Sequence, residues 1–156
     1  MSTNFERYKR GEMAPPPVAT TVGFTLVSMG DGRARCTMDA DPARHGNPMG
    51  TVHGGVLCDL ADAAMGMAYA STLGEGETFT TLELKINFLR PVWRASLTAD
   101  AEVVHRGKTV GMVEVHVADE RGRLVARASS TCLTLRGVRR PRASTPARRS
   151  RRRRSS

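Results

Sequence analysis

Aromatic side chains make up only 4% of the 156 residues, so a core has to be assembled mainly from the Val, Leu, Ala, Met and Ile within the 40% that are hydrophobic. Cysteine is scarcer. Cys36, Cys58 and Cys132 are odd in number and widely spaced, which fits neither a disulfide framework nor a metal site and makes a reducing cytoplasm the expected compartment. Long hydrophobic runs are missing: the most apolar stretch, Val56 to Ala70, is too short for a membrane span and carries Asp59 and Asp62. Arg7, Lys9 and Arg10 lead into Gly11, Glu12 and Pro15-Pro16-Pro17 rather than an apolar segment, so no secretory leader is expected. Most of the chain also lacks net charge. Nine of the 24 basic residues are arginines within 139–156, where no acid occurs, and 1–138 then holds 15 basic and 15 acidic residues. The net charge of +9 belongs to a tail that reads as disordered and solubilising, so no nucleic-acid-binding face is expected from the domain.

The length suits one domain. Residues 1–17 read as an arm, 18–138 as the domain and 139–156 as the Arg-rich tail. Val18 to Met29 and Arg33 to Met38 look like strands around the turn Gly30-Asp31-Gly32, and 41–50 reads as a loop. Val56 to Ser71 lacks Pro, is rich in Ala, Leu and Met, and is apolar on nearly every face, which predicts a buried helix opened by His53-Gly54-Gly55. Four strands follow: Thr78–Phe88, Ser96–Arg106, Thr109–Asp119 and Arg123–Leu135. The turns at 106–108 and 120–122 suit hairpins, so the expected fold is α+β, a four-strand meander in an antiparallel sheet wrapped around one long central helix.

The chemistry concentrates between Asn47 and Asp62. Gly54 and Gly55 stand where backbone N–H groups are unpaired and the helix dipole is positive, a place that can polarise a carbonyl. Asp62 is a carboxylate inside an apolar helix, costly unless paired or used, and Asn47 precedes the helix with an amide able to orient a carbonyl or a water. Asp62 follows Gly54 by eight residues, about 12 Å of helix rise, too far for both to act on one carbon within one chain. If both act, two copies must share a site, and a homodimer is the minimal unit.

Asn47, Gly50, His53-Gly54-Gly55 and Leu60-Ala61-Asp62 resemble the signature of hotdog-fold thioesterases of the phenylacetic-acid-degradation type. The resemblance continues through 81–91 and Arg106-Gly107-Lys108-Thr109, covering roughly residues 18–135. It implies hydrolysis of a fatty- or aryl-acyl thioester of coenzyme A. Asp62 would be general base or nucleophile, Gly54 the oxyanion donor, Asn47 an orienter and Thr81 a helper at the interface. His53 belongs to the same catalytic group, though it more readily shapes the turn than acts on substrate. Gly55, Glu83, Phe88, Arg106, Gly107, Lys108 and Thr109 would bind substrate, the last four at the coenzyme phosphates, with Arg90 and Arg94 as the next cations. The resemblance implies no metal and no cofactor beyond the coenzyme A of the substrate, and a homo-oligomer, a tetramer of two dimers.

Other readings of single residues stand beside these. Asp62 could be a structural acid and Asp59 an ordinary polar position. Cys58, Met65 and Met67 read as core, and His45, His105 and His116 have no partner pattern. Two rival functions remain: an acyl-thioester hydratase or dehydratase of the same fold, which would use a His with a carboxylate, and a non-catalytic acyl-CoA-binding protein, whose regulator form would need a DNA-binding module that 17 N-terminal residues cannot supply.

Overall fold

The computed structural model describes residues 7–8 and 10–137, so the tail at 139–156 lies outside the described residues. The helices named here are α1 (Pro17–Val22), α2 (Pro42–His45) and α3 (Gly54–Ala70), and the strands are β1 (Phe24–Gly30), β2 (Arg33–Ala40), β3 (Glu77–Phe88), β4 (Ala95–Arg106), β5 (Val110–Ala118) and β6 (Leu124–Arg136). The strands form one antiparallel sheet in the order β1-β2-β4-β5-β6-β3, with α3 packed against it. This is the α+β arrangement expected. Among the described residues no helix is long and apolar enough to cross a membrane.

The structure corrects three expectations. The run Val18 to Val22, read as the start of a strand from its β-branched residues, is the helix α1. Pro17 presets its first turn, Gly23 closes it at φ 94°, and the Arg44 guanidinium donates to the carbonyls of Thr20 (2.8 Å) and Thr21 at its C-terminal end. The second correction is the meander. β4, β5 and β6 are hairpin neighbours, but β3 pairs with β6 across the sheet because β2 already holds the other edge of β4. The connection 89–94 therefore crosses the end of the sheet. It is held by Leu89 N–H and Arg90 N–H to the Val125 carbonyl (2.9 and 3.2 Å) and by Val52 N–H to the Val92 carbonyl (2.7 Å). That crossing places Arg90, Pro91 and Val92 beside the start of α3.

The third correction concerns α3, which is buried on one side only. Leu57, Leu60, Ala61, Ala64, Met65, Ala68 and Tyr69 are buried at helical spacing, packed mainly on β2, β4 and β5. Val56, Cys58, Ala63, Gly66 and Met67 are half-buried, and Asp59 and Asp62 are exposed. These form an open strip on the side of β3. Apolar side chains all round had implied full burial, but the strip residues are small enough to sit beside a partly uncovered strand.

The C-terminal end of α3 is locked by Tyr69. Its hydroxyl shares a hydrogen bond with Thr134 (2.8 Å), its ring lies 5.4 Å from that of Phe79, and the Arg106 guanidinium sits 5.1 Å above it. Gly111 leaves room for the ring: a Cβ there would overlap Tyr69 and stand 2.9 Å from the His105 carbonyl oxygen. Gly111→Ala should therefore cost about 1–3 kcal/mol, as overpacking of a filled core does. Urea unfolding checks this, with Gly122→Ala as a left-handed-turn control that meets no neighbour.

Candidate active site

His53 is the N-cap of α3, and its Nδ1 accepts the Gly55 N–H at 2.9 Å. That bond occupies the Nδ1 lone pair, so Nδ1 is engaged in the cap and is not free to act as a base. The Val56 N–H is taken by the His53 carbonyl (3.0 Å). The Gly54 N–H is left without a protein acceptor among the described residues, at the positive end of the helix. A Cβ at Gly54 would stand 2.8 Å from Cζ of the exposed Phe88 ring, so a side chain there needs the end of that ring to swing aside. Gly54 and Phe88 line a cleft of about 370 Å³ with Asn47, Leu57, Arg90 and Val92 among its walls.

Asn47 reaches this cleft with its amide already engaged. Oδ1 accepts from the N–H groups of Met49 (2.9 Å) and Thr51 (3.2 Å), and Nδ2 donates to Thr51 Oγ1 (2.9 Å). These bonds fold the loop that delivers His53.

Asp62 lies on the open strip, two turns from Gly54. Thr81 Oγ1 donates to its Oδ1 at 3.3 Å. Loss of hydration raises the Asp62 pKa above its ordinary value, the Thr81 hydroxyl partly offsets this, and the Asp59 carboxylate three residues earlier raises it further. The side chain is exposed in the single chain, yet it sits low enough against β3 and the Cys132 region to lose water. No described cation pairs with it. Burial also raises the thiol pKa values of Cys58 and Cys132, leaving both as neutral neighbours.

The structure does not bring every expected residue here. The register of β3 on β6 shifts between Thr81 and Glu83, a bulge at Leu82 that aims Thr81 at α3. Past it Glu83 faces the outer side of the sheet and accepts from Thr131 Oγ1 (2.7 Å), away from Asp62. The hairpin 106–109 stands at the C-terminal end of α3, not near Gly54. Arg106 is spent on Tyr69, on Glu77 (3.2 Å) and on Thr72 Oγ1 (3.1 Å), and its side chain is 24% exposed. The Gly107 N–H donates to the Val110 carbonyl (2.9 Å), and the carbonyls of Lys108 and Thr109 accept from Arg136 Nη2 and the Thr134 N–H. Lys108 and Thr109 are exposed there, and Lys108 is the one cation of the hairpin without a carboxylate among the described residues. Arg94 bonds Asp41 (2.7 Å). Arg90, by contrast, lines the cleft at Gly54 and its side chain pairs with no described residue. Its position was hidden from the sequence because it depends on the crossing connection.

Comparison with known proteins gives the class. The sequence pattern of the thioesterase superfamily matches residues 49–126. An esterase-named protein of Saccharolobus solfataricus is 37% identical over 87 residues, which are 56% of this chain and 61% of that protein. The acyl-coenzyme A thioesterase PaaI of Escherichia coli is 35% identical over 109 residues, 69% of this chain and 75% of that protein. The crystal structure of a phenylacetic acid degradation-related protein from Ralstonia eutropha superposes with a TM-score of 0.76 at 34% identity, covering 84% of this chain and 99% of the other. The chain belongs to the thioesterase superfamily, a class of hydrolases with the hotdog fold.

A raised carboxylate pKa has two consequences. The titration midpoint of Asp62, followed by carbon NMR, should lie above the ordinary aspartate value of about 3.9 and move down in Asp59→Asn. A folded-state pKa above the unfolded one contributes stability that is present at low pH and lost as pH rises through the folded value. Asp62→Asn should therefore melt no lower than the parent at neutral pH, which calorimetry checks.

Proposed function

We propose that the chain hydrolyses acyl-CoA thioesters at a site built from Asp62 and the N-terminus of α3. The observation that carries this reading is one unpaired carboxylate with a raised pKa on the open strip of a helix whose first N–H is also unpaired. Water gives its proton to Asp62 and adds through oxygen to the thioester carbon, or Asp62 adds first and water then cleaves the anhydride. The carbonyl oxygen gathers charge at Gly54 N–H, the C–S bond breaks, and the coenzyme A sulfur leaves with the proton. Thr81 holds the Asp62 carboxylate in place. The kinship with the E. coli thioesterase supports this chemistry, and the free thiols of Cys36, Cys58 and Cys132 support a reducing cytoplasm.

The reactive pair comes from two copies. Asp62 of one copy faces Gly54 of another, since the two lie about 12 Å apart along one helix. β3 is a 12-residue strand at the edge of the sheet, its outer row of N–H and C=O groups paired with no strand among the described residues and its Leu82 56% exposed, a surface suited to the same strand of a second copy. A tetramer of two such dimers is the larger assembly.

Asp62→Asn should lower kcat for acyl-CoA hydrolysis by about 10²-fold or more while the protein stays folded. Retention of parental turnover in that variant would assign the chemistry elsewhere. For the coenzyme phosphates, Arg90 is the cation at the cleft. Arg90→Ala should raise KM with kcat nearly unchanged, and the effect should shrink at high salt and vanish with an acyl-pantetheine. Arg106→Ala should instead lower Tm, through loss of its contacts to Glu77 and Tyr69. The reverse pattern would place the phosphates at the hairpin.

A further inference from the structure

Tryptophan is on average a well-buried residue. This chain holds one, Trp93, and it is 61% exposed. It sits on the connection that crosses the end of the sheet. Val92 beside it is buried and its carbonyl accepts the Val52 N–H at 2.7 Å, so the backbone that carries the indole is anchored. One edge of the ring leans on the loop 47–51, where a Cβ at Gly50 would stand 3.7 Å from its Cζ3. Among the described residues the indole makes no hydrogen bond and no ring contact. A single exposed apolar side chain is ordinary by itself. The place of Trp93 is not: it lines a cavity of about 290 Å³ whose wall Arg90-Pro91-Val92 is also a wall of the cleft at Gly54. Of the cations on that cavity, Arg94 bonds Asp41 (2.7 Å) and Arg123 bonds Asp119 (2.7 Å), while Arg90 pairs with no described residue. Glu120, also on its wall, accepts from the Ser96 N–H at 3.0 Å. An anion is therefore favoured at Arg90, and a flat uncharged ring at Trp93.

We propose that Trp93 is the shelf on which the adenine of coenzyme A stacks. The inference rests on the acyl-CoA reading and extends it to the nucleotide end of the substrate. Gly54, Arg90 and Trp93 belong to the same copy, whichever copy supplies Asp62. With the thioester carbonyl at Gly54, the pantetheine arm leaves the cleft over the shared wall, the phosphates meet Arg90, and the base beyond them meets the indole. Adenine is neutral and presents a π-face, and the indole is the largest aromatic surface a protein can offer to it.

Because Trp93 is the only tryptophan, the tryptophan fluorescence of the full chain reports this residue alone. The test titrates it with coenzyme A, adenosine 3′,5′-bisphosphate and pantetheine. The first two should quench Trp93 saturably, and pantetheine should leave it unchanged. Trp93→Ala should raise KM by about tenfold for an acyl-CoA that the parent turns over, with kcat nearly unchanged, the scale of one base stacked on an aromatic ring. Trp93→Phe keeps a smaller face and should fall between. Unlike the loss of Arg90, this loss should persist at high salt, because stacking offers no charge to screen. With an acyl-pantetheine both variants should match the parent. An unchanged KM in Trp93→Ala, or no quenching by either nucleotide, would overturn the shelf. So would a parental emission already blue-shifted and closed to acrylamide, the mark of a ring covered by another copy. In each case hydrolysis of acyl-CoA would still uphold the function proposed above. Quenching by the nucleotides in a chain that hydrolyses no acyl-CoA would uphold the shelf and overturn that function.

Discussion

One constraint shapes the molecule: α3 is sealed against β2, β4 and β5 but left open toward β3. Full burial on all sides would exclude a charged group at 62, because an unpaired buried carboxylate is too costly. Full exposure would leave Asp62 an ordinary surface acid. The half-open strip holds it between these limits, partly dehydrated, with Thr81 as its hydrogen-bond partner and Asp59 pressing its pKa upward. The same arrangement requires β3 to stand off the helix, which it does by pairing with β6 at the sheet edge instead of joining β4. The connection that β3 then needs crosses the N-terminus of α3 and builds the cleft around Gly54.

The charges elsewhere in the domain are largely matched to one another. Arg35 bonds Asp100 (2.6 Å), Arg33 bonds Glu102 (2.8 Å) and Arg127 bonds Glu114 (3.0 Å) across the outer face of the sheet, where each exposed pair contributes little to stability. Glu77 joins Arg106 and Arg136 at the C-terminal end of α3, and its carboxyl pKa is held down first by the Gly74 N–H and then by Arg136. Asp59 and Asp62 are neighbouring carboxylates with no cation among the described residues, and Arg90 at the cleft has no carboxylate, as is also true of Lys108 on its hairpin.

The site was legible in the sequence where it is local. Asn47, His53, Gly54 and Asp62 fall within sixteen residues whose loop, cap and helix follow from neighbouring residue types, and the helix and the later strands were found within a residue or two. What was missed depends on distant partners. Val18–Val22 has strand-like side chains, but Pro17, Gly23 and Arg44 decide its state. Glu83 shares the strand of Thr81, and only the bulge at Leu82 reveals that it faces the other way. Arg106 looks like a free cation on a hairpin until Tyr69 and Glu77 are placed beneath it. Arg90 reaches the cleft because β3 and β4, consecutive in the chain, are not neighbours in the sheet.

The central claim is that Asp62 and the Gly54 N–H act on one substrate from two different copies. It is tested most directly by mixing two inactive chains, Asp62→Asn and Gly54→Pro, the latter removing the donor N–H at a helix position where proline is tolerated. After reversible dissociation and equal mixing, heterodimers would carry one intact site each, and acyl-CoA hydrolysis should recover to about a quarter of the parental level for random pairing of two-fold dimers. No recovery in a mixture shown by differential tagging to contain heterodimers would mean that the site lies within a single chain.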